Sequence, residues 1–78
     1  MSKLVLISGK KMCKILNKVG FRNVHVRGSH FVFQHPDGRR TVVPVHGNEN
    51  IGKGLLRHIL KQVGLNREEY NELRRKVA

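Results

Sequence analysis

The apolar residues of this chain change period twice. Met12, Ile15, Leu16 and Val19 recur at the i, i+3, i+4, i+7 spacing of a helix with one buried stripe. From Val24 the period becomes two. Val24 and Val26 alternate with His25 and Arg27, then Phe31 and Phe33 alternate with His30, Val32 and Gln34. Val43 and Val45 continue that alternation in a third run from Arg40 to Val45. The helical period returns at Leu55, Leu56, Ile59, Leu60 and Val63, and again, more weakly, at Tyr70, Leu73 and Val77. The pattern predicts a helix, three strands, a helix and a short third helix.

The residues between these runs punctuate them. Ser8 is placed to cap the first helix, and Gly20 to end it. Gly28-Ser29 and Pro36-Asp37-Gly38 are turn signals tight enough to make the three strands antiparallel neighbours. Pro44, which cannot donate to a ladder, suits an edge strand. A loop rich in Gly and Asn spans 46–54, with Asn50 as candidate cap of the second helix. Gly64 ends that helix, and Asn66 with Glu69 forms a capping pair for the third. The lead-in Met1–Ile7 is extended; its Leu4–Ile7 run either covers the core or adds a strand. The expected fold class is α+β, with both main helices on one face of an antiparallel meander. The other face is left open, carrying His25, Arg27, His30, Val32 and Gln34.

Composition narrows the function. A chain of 78 residues with 38% hydrophobic content makes a single domain, 1–78. Its 16 Lys+Arg against 5 Asp+Glu give a net charge of +11. Only Asp37 is acidic before Glu49, while Glu68, Glu69 and Glu72 cluster near the end. A field of this sign points to a polyanion, nucleic acid above all, over a merely solvated basic surface. One cysteine, Cys13, excludes an intramolecular disulfide and fits a small packed thiol. The longest apolar run, Leu4–Ile7, is too short for a membrane span or a signal-peptide core, so a soluble cytoplasmic protein is expected.

Among five histidines, His30 stands apart, because it follows a Gly-Ser turn at a strand start, close to Arg27. Imidazole titrates near neutrality, so it can take a proton from an RNA 2′-hydroxyl or give one to a leaving oxygen. Charge building on the phosphate needs cations, and Arg27, Arg39, Arg40, Lys53 and Arg57 are candidates. His46, in the loop after the last strand, is a candidate phosphate contact or a loop cap. His25 is an outward strand residue, His35 a solvated turn residue, and His58 a structural neighbour of a helical stripe. No metal is expected, because the histidines lack a Cys pair, a His-x-Glu and a second nearby acid. Gly52-Lys53-Gly54 lacks the pattern of a nucleotide loop but can hold one phosphate.

Several groups of residues together resemble a known family. They are Ser8-Gly9-Lys10, Val19-Gly20-Phe21, Arg27-Gly28-Ser29-His30, His35-Pro36-Asp37-Gly38-Arg39-Arg40, Val43-Pro44-Val45-His46-Gly47 and the run from Gly54 to Gly64. In this order and spacing the chain, from about Ser8 to Leu73, resembles the HicA (YcfA-like) toxins of type II toxin–antitoxin systems. The resemblance implies a double-stranded-RNA-binding-domain-like fold and a ribosome-independent mRNA interferase that needs no metal or other cofactor. It implies that His30 is the catalytic histidine; Ser29, in the same turn, is a further candidate for contact with the RNA. The resemblance also implies mRNA as substrate and a HicB-type antitoxin as partner. Two features depart from the family pattern: the Met1–Ile7 lead-in and the order of Thr41 and Val42. A different class of function, a non-catalytic RNA-binding module, would use the same face without cutting. A toxin retained only to bind its antitoxin is a third.

Overall fold

The computed structural model describes residues 3–77. Met1 and Ser2, the start of the predicted lead-in, lie outside them. The element order is α1 (Gly9–Lys18), β1 (Arg22–Arg27), β2 (His30–Gln34), β3 (Arg40–Pro44), α2 (Lys53–Val63) and α3 (Arg67–Lys76). The three strands form one antiparallel sheet in the order β1-β2-β3. This is the α+β arrangement that the hydrophobic pattern predicts, and it is consistent with a double-stranded-RNA-binding-domain-like fold. The third helix is longer than expected, with 10 residues, as many as α1.

Local chemistry sets the helix ends. The Ser8 hydroxyl accepts the Lys11 N–H at 3.2 Å, opening α1. At its other end Gly20 adopts φ +97°. The Gly20 N–H donates to the Asn17 carbonyl and the Phe21 N–H to the Leu16 carbonyl, the paired bonds of a Schellman stop. α3 opens with the predicted Asn66–Glu69 capping box. α2 corrects the expectation for Asn50: Gly52 is the N-cap, and Asn50 instead bridges to Ser8. That bridge, with the Ile51 N–H donating to the Ile7 carbonyl at 2.8 Å, ties the loop before α2 to the lead-in.

Met12, Ile15 and Leu16 of α1 pack with Phe33 and Val43 of the sheet, Leu56, Ile59 and Val63 of α2, and Tyr70 of α3. Leu4 and Ile7 complete this core while Val5 and Leu6 stay exposed, so the lead-in covers the core without adding a strand. The Tyr70 hydroxyl donates to the Val5 carbonyl. Burial pushes that phenol above its ordinary value, so it keeps the proton it donates. Thr41 is buried too, its hydroxyl 2.7 Å from the Gln62 side-chain oxygen.

β1 departs from the expected alternation. All six of its residues are exposed, Val24 and Val26 included, at 53% and 46%. The pairing runs Arg27↔His30, Val26↔Phe31, His25↔Val32, then shifts, so that Asn23↔Phe33 leaves Val24 as an extra residue. This is a β-bulge on an edge strand that the helices barely cover. The Asn23 side-chain amide fastens it, donating to the Val32 carbonyl at 3.0 Å and the His25 carbonyl at 3.1 Å.

Candidate functional site

The Gly28-Ser29 turn joins β1 to β2 through two residues, closed by the Arg27↔His30 pair. Gly28 takes φ +60° and Ser29 keeps a negative φ, the pattern of a type II′ hairpin turn with glycine at its first position. The turn is pinned from the far side, where the Val45 N–H donates to the Ser29 carbonyl at 2.7 Å. Beneath it, α1 begins in close contact with the end of β3. A Cβ built on Gly9 would lie 2.2 Å from the Pro44 carbonyl oxygen. Pro44 is the β3 partner of His30. His30 therefore sits at a rim fixed by three segments: the hairpin turn, the end of β3 and the start of α1.

Residues directly opposite in an antiparallel ladder share a face. Phe31 and Phe33 point to the core, so His30, Val32 and Gln34 share the open face with their partners. Those partners are Arg27, His25 and Arg22 on β1, and Pro44, Val42 and Arg40 on β3. Among the described residues paired across this face, none is a carboxylate. Val32 belongs to it yet is 9% exposed, because His25 and Val42 flank it on the central strand. Arg22 is an addition that the sequence reading lacks. Strict alternation would have turned it inward, and the bulge at Val24 turns it out.

The predicted residues divide by location. Arg27, Ser29 and His30 meet at the turn end, and His46, exposed, follows Val45 there. Arg40 stands on the same face at its other end, opposite Gln34. Lys53 is the first residue of α2, exposed at the helix N-terminus. Arg57 lies on the helical side, in a surface hollow with Leu4, Leu60, Lys61, Leu65 and Arg67. Arg39 is engaged internally. Its guanidinium donates to both Asp37 carboxylate oxygens and to the Val63 carbonyl at the end of α2, and it lies 5.2 Å from the Phe21 ring centre.

His35 is likewise more embedded than a solvated turn residue. Its ring meets Phe21 edge to face at 5.1 Å, and its Nδ1 accepts the Asp37 N–H at 3.1 Å. His58 is exposed beside Leu55 and Val42 in a groove between α2 and β3. Cys13 is half-buried, and burial pushes its thiol up to about 11, away from nucleophilic chemistry. Among the described residues no three His, Cys, Asp or Glu side chains gather as metal ligands. No described helix is long and apolar enough to cross a membrane.

The fold and the rim define a small basic α+β domain with one uncovered sheet face and a histidine at its edge. The chain belongs to the HicA toxin family of bacterial toxin–antitoxin systems, whose family model matches residues 9–65. No curated protein matches the chain. The matched span begins at Gly9, the residue packed on Pro44, and takes in the whole sheet and α2.

Proposed function

We propose that this toxin is an mRNA interferase, an endoribonuclease in which His30 acts on the RNA backbone. The observation that carries this reading is the exposed His30 in the closing pair of a type II′ turn, beside Arg27, on a sheet face whose described cross-strand pairs include no carboxylate. In the proposed reaction the RNA 2′-oxygen attacks the adjacent phosphorus as its proton passes to a base. The bond from phosphorus to the 5′-oxygen breaks, and that oxygen takes a proton from an acid. The products are a 2′,3′-cyclic phosphate and a free 5′-hydroxyl. His30 fills one of the two proton roles. His46 is the best-placed candidate for the other, because the Val45–Ser29 hydrogen bond draws its segment to the turn.

Arg27 supplies positive charge to the phosphate as negative charge builds on it. Ser29 and Arg40, with Lys53 at the helix N-terminus, extend the contact with the chain, and Arg57 does so from the helical side. The reaction needs no metal, since proton transfer and cationic stabilisation supply its chemistry. The partner that neutralises the toxin is a HicB-type antitoxin covering the rim around His30.

His30→Ala is expected to lower RNA cleavage by about 100-fold or more, the scale of a lost acid–base group, while RNA binding persists. Induced expression should arrest growth with loss of mRNA for the parent and not for the variant. Equal cleavage by both proteins would refute the role of His30. The non-catalytic alternative draws on the absence of a second histidine directly paired with His30, whose partners are Arg27 and Pro44. It predicts tight, salt-sensitive RNA binding by both proteins and no products from either.

A further inference from the structure

α1 goes against helix electrostatics more fully than α3 does. α3 has a basic first residue, Arg67, and one like-charge i,i+4 pair, Glu68 and Glu72, but balances them with charges of the other sign. After Arg67, α3 places Glu68 and Glu69 in its first turn and Arg74, Arg75 and Lys76 in its last, and these five charges match their ends of the helix dipole. It also pairs Glu72 with Lys76 one turn on, at 3.8 Å. α1 has no acidic residue and sets Lys10 and Lys11 in its first turn, at the positive end of its dipole. Lys10, Lys14 and Lys18 then follow at i, i+4 and i+8, so each neighbouring pair repels. All three are exposed, and none joins an ion pair among the described residues. The acids of α3 nearest α1 border a hollow beside Val19. There Glu69 is held in its capping box and Glu72 pairs with Lys76.

We infer that this ridge is a phosphate track, a second nucleic-acid contact that holds the RNA strand leading to His30. The inference rests on the RNA reading above and extends it to residues outside the open face. Successive lysines rise by about 6 Å along the axis, so the ridge is about 12 Å long. That spacing suits one phosphate per lysine on an extended strand. The ridge also starts at the right place. α1 begins at Gly9, against the Pro44 carbonyl, and Pro44 pairs with His30. From there the helix runs beneath the sheet to Gly20, which packs on His35 just beyond the end of β2. A polyanion along the lysines relieves their mutual repulsion and releases counterions.

The test compares the parent with Lys10→Gln/Lys14→Gln and with a control, Arg75→Gln/Lys76→Gln, that removes the same charge from the exposed end of α3. Binding is measured across salt concentrations with a labelled 2′-O-methyl RNA oligonucleotide, which lacks the attacking hydroxyl. The α1 variant should lose about tenfold or more in affinity, and its slope of log affinity against log salt should fall by about 1.5. The control should stay close to the parent. The α1 variant should also melt no lower than the parent, since a repelling pair has been removed.

An unchanged slope, equal losses in both variants, or a lower melting temperature for the α1 variant would each overturn the ridge. A loss of affinity for the antitoxin with RNA binding intact would assign the lysines to the protein partner and overturn it as well. Failure of the parent itself to bind the oligonucleotide would remove the RNA reading of the molecule altogether. That outcome is distinct from failure of the ridge alone.

Discussion

Replacing Gly9 by alanine tests the junction on which the site is built. The new methyl would sit 2.2 Å from the Pro44 carbonyl oxygen, 3.0 Å from Val45 Cα and 3.1 Å from the Pro44 carbonyl carbon. All three are backbone atoms, so no side chain can swing aside. Restoring ordinary contact requires α1 and the end of β3 to part by about 1 Å. Gly9 is not in the left-handed region, so packing alone decides the outcome. Overpacking of this kind costs about 1–3 kcal/mol, against a helix-propensity gain of at most about 1 kcal/mol. For a domain of this size each lost kcal/mol lowers the melting temperature by about 4–8 °C. Gly54→Ala is the matched control. Gly54 lies in the first turn of α2 with nothing within 4 Å of a built Cβ, and its φ is not positive. The same chemical change there should stabilise by about 0.5–1 kcal/mol. Thermal melts of the three proteins therefore order Gly54→Ala above the parent and Gly9→Ala below it. Because the parted backbone includes the β3 partner of His30, the proposed function also predicts slower RNA cleavage by Gly9→Ala at temperatures where it remains folded. A Gly9→Ala protein that melts at or above the parent would refute the close approach of α1 to β3.

Two further outcomes follow from the sheet and its second turn. Asn23→Ala removes the amide that bridges the His25 and Val32 carbonyls across the bulge. It should cost about 1–2 kcal/mol in a urea melt and quicken amide exchange along β1; unchanged stability and exchange would show that the bulge holds without it. Asp37 is held below the ordinary carboxylate range, first by its side-chain hydrogen bond with Arg39 and then by the Arg39 backbone N–H. Its native value is thus lower than its unfolded one, so it adds stability above the ordinary carboxylate range, lost as pH falls through the native value. Urea midpoints recorded from neutral pH down through that range should fall less steeply for Asp37→Asn than for the parent; parallel curves would contradict this.

What the sequence discloses here is what its local spacing controls. The stripes of α1 and α2, the Ser8 cap, the Gly20 and Gly64 stops and the Asn66–Glu69 box depend on neighbours within one turn, and all stand where the spacing puts them. The misread positions depend on distant partners. Asn50 has the chemistry of a helix cap, but Ser8, far from it in sequence, pairs with it. Val24 and Val26 alternate like a buried strand, yet the helices reach mainly β3 and leave β1 overhanging. In sequence, Arg39 and Arg40 are equivalent charges. Their places on either side of the strand start send Arg39 to the carbonyl at the end of α2 and Arg40 to the open face.

The placement of His30 at a rim, rather than at the centre of the sheet, follows from the same geometry. α1 packs on the inner face of the sheet through Met12, Ile15 and Leu16, so its lysines face away from the core, and therefore away from the open face that holds Arg22, Arg27 and Arg40. A single RNA strand cannot lie flat on both surfaces. The two basic surfaces approach each other at the end where Gly9 meets Pro44 and Val45 bonds to Ser29. A strand held along α1 and passing on to the sheet would have to bend over that end. There its backbone would be forced to turn, and under the proposed function a bent strand would bring a 2′-oxygen into line with its neighbouring phosphorus more readily than a stacked helix would. A histidine fixed on the Gly28-Ser29 turn is then at the point of bending. A histidine at the position of Val32, midway along the face, would meet RNA only after the turn was complete.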